Sequence, residues 1–243
     1  MKTSIFLFFI LVWPCLASSA VVDATQPPWN VIGKLRVEAK QSCTATLVSP
    51  DTVLTAAHCI YDYKTRSYFS PNKIHFLAGL NAGALVAQSE AMSYTVAAKH
   101  LPEGTFDDQA LLKDWALVRL RYPVGCMLGH MKPGDHTNSF RRFMIAGYPK
   151  SDPSRIHAEQ SCKLALPPKK NQMIRIKDCA VEHGDSGAAL VGLNGNKATL
   201  LGVLSAATND SKGRFRAFVV PSDAFLKSIK KLPQSCEKLM PEY

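Results

Sequence analysis

Three side chains far apart along the chain have the types and surroundings needed for nucleophilic chemistry. Ser186 stands in "HGDSGAAL", residues 183–190, with Asp185 before it, Gly184 and Gly187 around the pair, and an apolar run after it. A serine hydroxyl alone is a weak nucleophile and needs a base, with an acid to orient that base. His58 lies in "VLTAAHC", where Ala56 and Ala57 allow a tight turn after a strand and a disulfide at Cys59 would pin the imidazole. Asp114 lies in "KDWALVRL", directly ahead of an apolar strand that carries it to the edge of a core. There a carboxylate accepts from a histidine Nδ1–H and fixes its tautomer. Asp107 and Asp108 are rival acids in a polar loop with no strand at once behind them. The backbone N–H groups of Gly184 and Ser186 are the candidate donors to a developing oxyanion, and glycine at 184 permits the close approach this requires. His183 is expected at the rim of the cleft as a solvent-facing polar group.

The order His, Asp, Ser separates this chain from the other common arrangements of the same three residues. Residue 188 is Ala, so the GxSxG elbow fails, and the "AALVGL" that follows reads as a strand rather than a helix. No CxxC or HExxH occurs, so neither a metal nor another cofactor is expected.

The elements that must position these residues are β-strands. Short β-prone runs recur, among them "CTATLVS", "KIHFLAGL", "SYTVAA", "WALVRL", "RFMIAGY", "TLLGVL" and "RAFVV". Turn signals such as Ser49-Pro50-Asp51, Asn194-Gly195-Asn196 and Asn209-Asp210-Ser211 lie between them, the spacing of a barrel or sandwich. One late segment, "SDAFLKSIKKL", has Ser222 as N-cap, a Phe225, Ile229, Leu232 stripe and lysines toward its end. It predicts a C-terminal α-helix. "HMKPGDHTNS", 130–139, is the expected linker between two halves.

The chain opens with Lys2, the apolar run "SIFLFFILVWPCLA" and then "SSA". This pattern predicts a signal peptide over residues 1–20, cleavage after Ala20, an exported product and no membrane span in the mature form. Formal charge is +10, spread as pairs such as Arg141-Arg142, Lys169-Lys170 and Lys230-Lys231 rather than as one run. No nucleic-acid partner is expected; weak attraction to acidic surfaces is. Apart from Cys15 there are six cysteines, Cys43, Cys59, Cys126, Cys162, Cys179 and Cys236, an even set that suits disulfides in an exported chain.

Together, "LTAAHC", "DWALVRL" and "GDSG" resemble the histidine, aspartate and serine motifs of the chymotrypsin-like (trypsin-like) serine peptidases. "PPWNVIGKL", "CTATLVSPDTVLTAAHC", "IHFLAGL" and "DCAVEHGDSG" resemble a bacterial branch that includes glutamyl endopeptidases, over most of residues 24–220. The resemblance implies an all-β fold of two antiparallel six-stranded β-barrels, with the C-terminal helix packed on them. The first barrel would span residues 21–130 with His58 and Asp114, the second 131–243 with Ser186. It implies a secreted serine endopeptidase, a monomer acting on protein or peptide substrates through an acyl-enzyme, with His58, Asp114 and Ser186 catalytic. Disulfides Cys43–Cys59, Cys162–Cys179 and, with those made, Cys126–Cys236 are implied too. The substrate pocket would be formed by Ala180, Val181, Leu204, Ser205 and Ala207, with Ser205 bonded to Asp114. Glutamate-selecting members carry a histidine and a hydroxyl residue where Leu204 and Val181 stand. Trypsin-like members carry an aspartate where Ala180 stands. A buried substrate charge without a partner is costly, so the expected preference is for an apolar or small residue before the scissile bond. In many members a freed N-terminus pairs with the acid before the serine, here Asp185, and Val21 would be the new terminus; the alternative is that Asp185 bonds locally. The alternative is a catalytically silent basic member of the same fold that binds polyanions or a partner protein.

Overall fold

The computed structural model describes residues 19–38, 41–102, 107–166, 168–195, 197–209, 215–237 and 239. The signal-peptide segment thus lies outside the described residues except for Ser19 and Ala20. Strand β1 (Ser19–Val21) runs antiparallel to a strand far along the chain, and cleavage after Ala20 would divide it. Then come β2 (Ile32–Val37), β3 (Gln41–Ser49) and β4 (Thr52–Thr55), the small hairpin β5 (Tyr61–Asp62) and β6 (Ser67–Tyr68), β7 (Ile74–Ala78), β8 (Ala87–Val96), one helical turn α1 (Asp108–Leu111) and β9 (Ala116–Leu120). Six of these close into a barrel in the order β2-β3-β4-β9-β8-β7.

A second helical turn, α2 (Gly125–Leu128), leads to the other half. There β10 (Arg142–Gly147), β11 (His157–Glu159), β12 (Lys163–Leu164), β13 (Ile174–Lys177), β14 (Ala189–Asn194), β15 (Lys197–Asn209) and β16 (Phe215–Pro221) join β1. They form an eight-stranded antiparallel sheet in the order β1-β11-β10-β14-β15-β16-β13-β12. The architecture is the expected all-β, two-unit one. The second unit is a half-barrel of eight strands rather than a second closed ring of six.

Both faces of β3 are buried from Cys43 to Ser49, because one face lines the first barrel and the other packs against β10 and β14. Strand periodicity divides the second unit's core in two. Met144 and Ala146 of β10 belong to a core shared with the first barrel, while Ile145 between them joins Ile174, Ile176, Leu190, Leu201, Leu204 and Val219 in a second core. Three disulfides close the frame with the implied pairings, Cys43–Cys59, Cys126–Cys236 and Cys162–Cys179. The middle one spans 110 residues and ties the tail to α2.

The C-terminal helix is shorter than its apolar stripe predicts. Residues Ser222–Ala224 form a 3-10 turn and only Leu226–Ile229 form α-helix (α3). The Ser222 hydroxyl is not a cap: it donates to the Gly134 carbonyl at 2.6 Å. Phe225 sits between the two pieces with φ −120°, outside helical values. Phe225 is nevertheless fully buried, its ring 6.1 Å from that of Trp115, the residue directly after Asp114. Replacing Phe225 by Ala should therefore destabilise the fold by about 3–5 kcal/mol. Urea unfolding reads this directly, and a loss under about 1 kcal/mol would contradict a plug packed at that depth.

Candidate active site

Local pairing brings the candidate base and acid together. The end of β4 lies beside the start of β9, with Thr55 opposite Ala116. A 3-10 turn, Ala57–Ile60, follows β4 and presents His58, while Asp114 stands just ahead of β9. His58 Nδ1 is 2.8 Å from Asp114 Oδ2, and the His58 backbone N–H donates to Asp114 Oδ1 at 2.8 Å. The other half supplies a third bond: Ser205 Oγ donates to Oδ2 at 2.5 Å. Ser205 occupies the irregularity in β15 between Leu204 and Ala206, the kind of bulge that re-aims a side chain. The rival acids go elsewhere. Asp107 caps α1 by accepting from the Ala110 N–H, and Asp108 pairs with Arg175 at 2.8 Å.

These contacts set the charges. Burial alone pushes the His58 imidazolium down, but the Asp114 charge and hydrogen bond outweigh it and hold the pKa above the ordinary histidine value. Burial pushes Asp114 up, and the His58 charge with the bonds from His58 and Ser205 brings it below the ordinary carboxylate value. The Cys43–Cys59 disulfide lies against the ring, Cys59 Sγ being 3.9 Å from Nε2. His58 and those two sulfurs cluster closely enough for a metal, but sulfurs bonded to each other are not thiolate ligands.

Ser186 faces the same cleft, a cavity of about 1010 Å³ between the halves, lined also by His58, Gly184, Val181, Leu204 and Ala207. Its hydroxyl makes no hydrogen bond to the imidazole; catalytic hydrogen bonds of this kind often tighten only in the Michaelis complex. The serine loop is fixed by its backbone. Gly184 has φ +97°, and a Cβ there would meet the Tyr148 carbonyl at 2.4 Å, so glycine is required. The Lys150 N–H donates to the His183 carbonyl at 2.7 Å, and the Thr44 N–H to the Ser186 carbonyl at 2.8 Å. His183 itself is exposed beside the cleft.

Ala180 is the expected pocket residue that the structure sets apart. It lines a neighbouring cavity of about 350 Å³ together with Ser19, His157, Glu159, Glu182 and Asp185. Val181 belongs to both cavities. The sequence reading also passed over Gln41, Ser42 and Lys150, all of which line the cleft; none lies in a motif.

Asp185 is buried beside Glu182 and Glu159, and accepts from the Glu182 N–H at 3.0 Å. Burial pushes its pKa up to about 6, with the two acids adding to the rise. The folded protein then keeps a proton that the unfolded chain loses near pH 4, so this residue's contribution to stability falls as pH rises from about 4 to 6. Asp185→Asn should gain stability relative to the parent across that window. Denaturant midpoints of both proteins at pH 4.5 and 7 measure it; a difference that is constant or shrinks would contradict the burial of an ionising carboxyl.

The trypsin family model matches residues 19–229. The fold is similar to a Glu endopeptidase solved with MPD, at TM-score 0.66 and 22% identity over 88% of this chain and 94% of that one. It is similar to a thermostable serine protease from an extremophilic microorganism, at TM-score 0.62 and 17% identity over 82% and 94%. It is similar also to the protease Anisep from Arthrobacter nicotinovorans, at TM-score 0.61 and 14% identity over 84% and 95%. With most of its length matched, and an acid-held histidine and a serine lining one cleft between two β-units, the chain belongs to the trypsin family of serine endopeptidases.

Proposed function

We propose that this protein is an exported endopeptidase in which Ser186, His58 and Asp114 hydrolyse peptide bonds after apolar or small residues. The observation that carries the reading is the double hydrogen bond of His58 to a buried Asp114 across the cleft from Ser186. Ser186 Oγ attacks the substrate carbonyl as His58 Nε2 takes the hydroxyl proton, and the N–H groups of Gly184 and Ser186 receive the carbonyl oxygen as its charge grows. His58 then returns the proton to the leaving amine, and water repeats the sequence on the acyl-enzyme. Asp114 holds the tautomer and stabilises the imidazolium.

Selectivity follows from what surrounds the substrate side chain. Val181, Leu204, Ala206 and Ala207 give the cleft an uncharged wall, on which the reading rests, while Lys150 and Glu182 also line it; Ala217, paired with Ala207, is fully buried. Export is supported by three disulfides, which persist in oxidising compartments, and by the apolar N-terminal stretch. Because β1 includes Ser19 and Ala20, processing upstream of Ser19 preserves the strand that cleavage after Ala20 would cut. Among the described residues no helix is long and apolar enough to cross a membrane.

Peptide-library profiling should give cuts after apolar or small residues, and a Ser186→Ala variant should lose fluorophosphonate labelling. Dominant cleavage after Glu, Lys or Arg would overturn the specificity. The pH profile tests the base. Since Asp114 raises the His58 pKa, the acid limb of kcat/KM should lie above pH ~6.5. Asp114→Asn should lower kcat by roughly 10⁴-fold. An acid limb below that pH, or a drop under about tenfold, would remove His58–Asp114 from the mechanism.

A further inference from the structure

We propose that Thr44 is a positioning residue whose hydroxyl holds the oxyanion loop of the second unit against the first barrel; this rests on the Ser186 peptidase reading above. Thr44 lies on β3, directly after Cys43, and is completely buried. Its hydroxyl donates to the Gly184 carbonyl at 3.0 Å and accepts from the Tyr148 N–H at 2.9 Å. Its backbone N–H donates to the Ser186 carbonyl at 2.8 Å, and its own carbonyl accepts from Thr55 Oγ1 at 2.8 Å. One residue of the first barrel therefore grips both residues assigned as oxyanion donors, and also the β10 end that packs on them.

The chemistry of the position requires a hydroxyl. Only a group that donates and accepts at once satisfies a carbonyl and an N–H from opposite sides. The Gly184 carbonyl belongs to the peptide that links Gly184 to Asp185, between the two donor N–H groups. Fixing that peptide constrains both donors, whose flanking peptides are held by the Lys150 N–H on the His183 carbonyl and the Thr44 N–H on the Ser186 carbonyl, and oxyanion stabilisation depends on donors already aimed before charge develops. The space is close: a Cβ on Gly147 would approach Thr44 Oγ1 to 3.0 Å, and one on Gly187 would approach the Thr44 carbonyl to 2.2 Å.

Thr44→Val keeps the shape and removes both bonds. It should lower kcat by about 10- to 100-fold while KM moves less than about threefold, because the donors act on the transition state rather than on ground-state binding. Affinity for a peptide boronate, which forms a tetrahedral adduct on the serine, should fall with kcat. Thr44→Ser should recover most of both, and the acid limb of the pH profile should stay in place. A folded Thr44→Val with kcat within twofold of the parent overturns the inference. So does a Thr44→Ser variant as impaired as Thr44→Val, which would assign the effect to the methyl group. Should Thr44→Val fail to fold, Thr44→Ala is read by the same measurements; if that also fails to fold, the residue is purely structural and the inference is wrong. Parent protein and Ser186→Ala serve as controls. A parent without boronate binding or serine-dependent hydrolysis would instead sink the peptidase reading itself.

Discussion

The carboxylate of Asp114 is held almost wholly out of water, and much of the site's arrangement follows from that. A buried charge is tolerated only when it is paired and hydrogen-bonded. Asp114 meets the demand with two bonds from His58 and one from Ser205. The first two come from its own barrel and the third from the opposite sheet. Separating the halves would strip the Ser205 bond from this carboxylate and open it to water, so the acid that orients the imidazole also helps to hold the halves together.

Thr44 works in the reverse direction. It lies in the first barrel and reaches into the loop of the second, bonding Gly184, Ser186 and Tyr148. The cleft is thus pinned from both sides: Ser205 crosses toward the histidine wall, and Thr44 crosses toward the serine wall. The continuous core from Leu47 and Val53 to Met144 and Val203 supplies the bulk attraction between the halves. These few polar bonds, each satisfied and each excluded from water, set the register at which the halves pack. Trp115 and Phe225 then seal the strand behind Asp114.

Much of this was legible along the chain because its signals are local. "GDSG", "TAAHC" and "DWALVRL" each join a functional residue to the strand or turn that carries it. The pairing of β4 with β9 is what turns two of these distant signals into one contact. What escaped notice depended on neighbours remote in sequence. Thr44 reads as one more residue of a strand, since its partners lie 104 and 140 positions away. Ser222 has the type and place of an N-cap, but the Gly134 carbonyl, 88 residues earlier, takes its hydroxyl and the helix shrinks to one turn. The pairing of β1 with β11 was equally invisible, because "SAV" lies where export signals end. The resemblance puts Ala180 in the substrate pocket, but in the fold it lines the cavity around Asp185.

Proton NMR of the native protein in water tests the central claim most directly, since a histidine Nδ1–H held by a buried carboxylate resonates far downfield of the amide region. The account requires one such resonance, absent from His58→Ala, weakened and shifted by Asp114→Asn, and titrating together with the acid limb of peptide hydrolysis. An active protein with no such resonance, or one whose resonance survives Asp114→Asn intact, would contradict it.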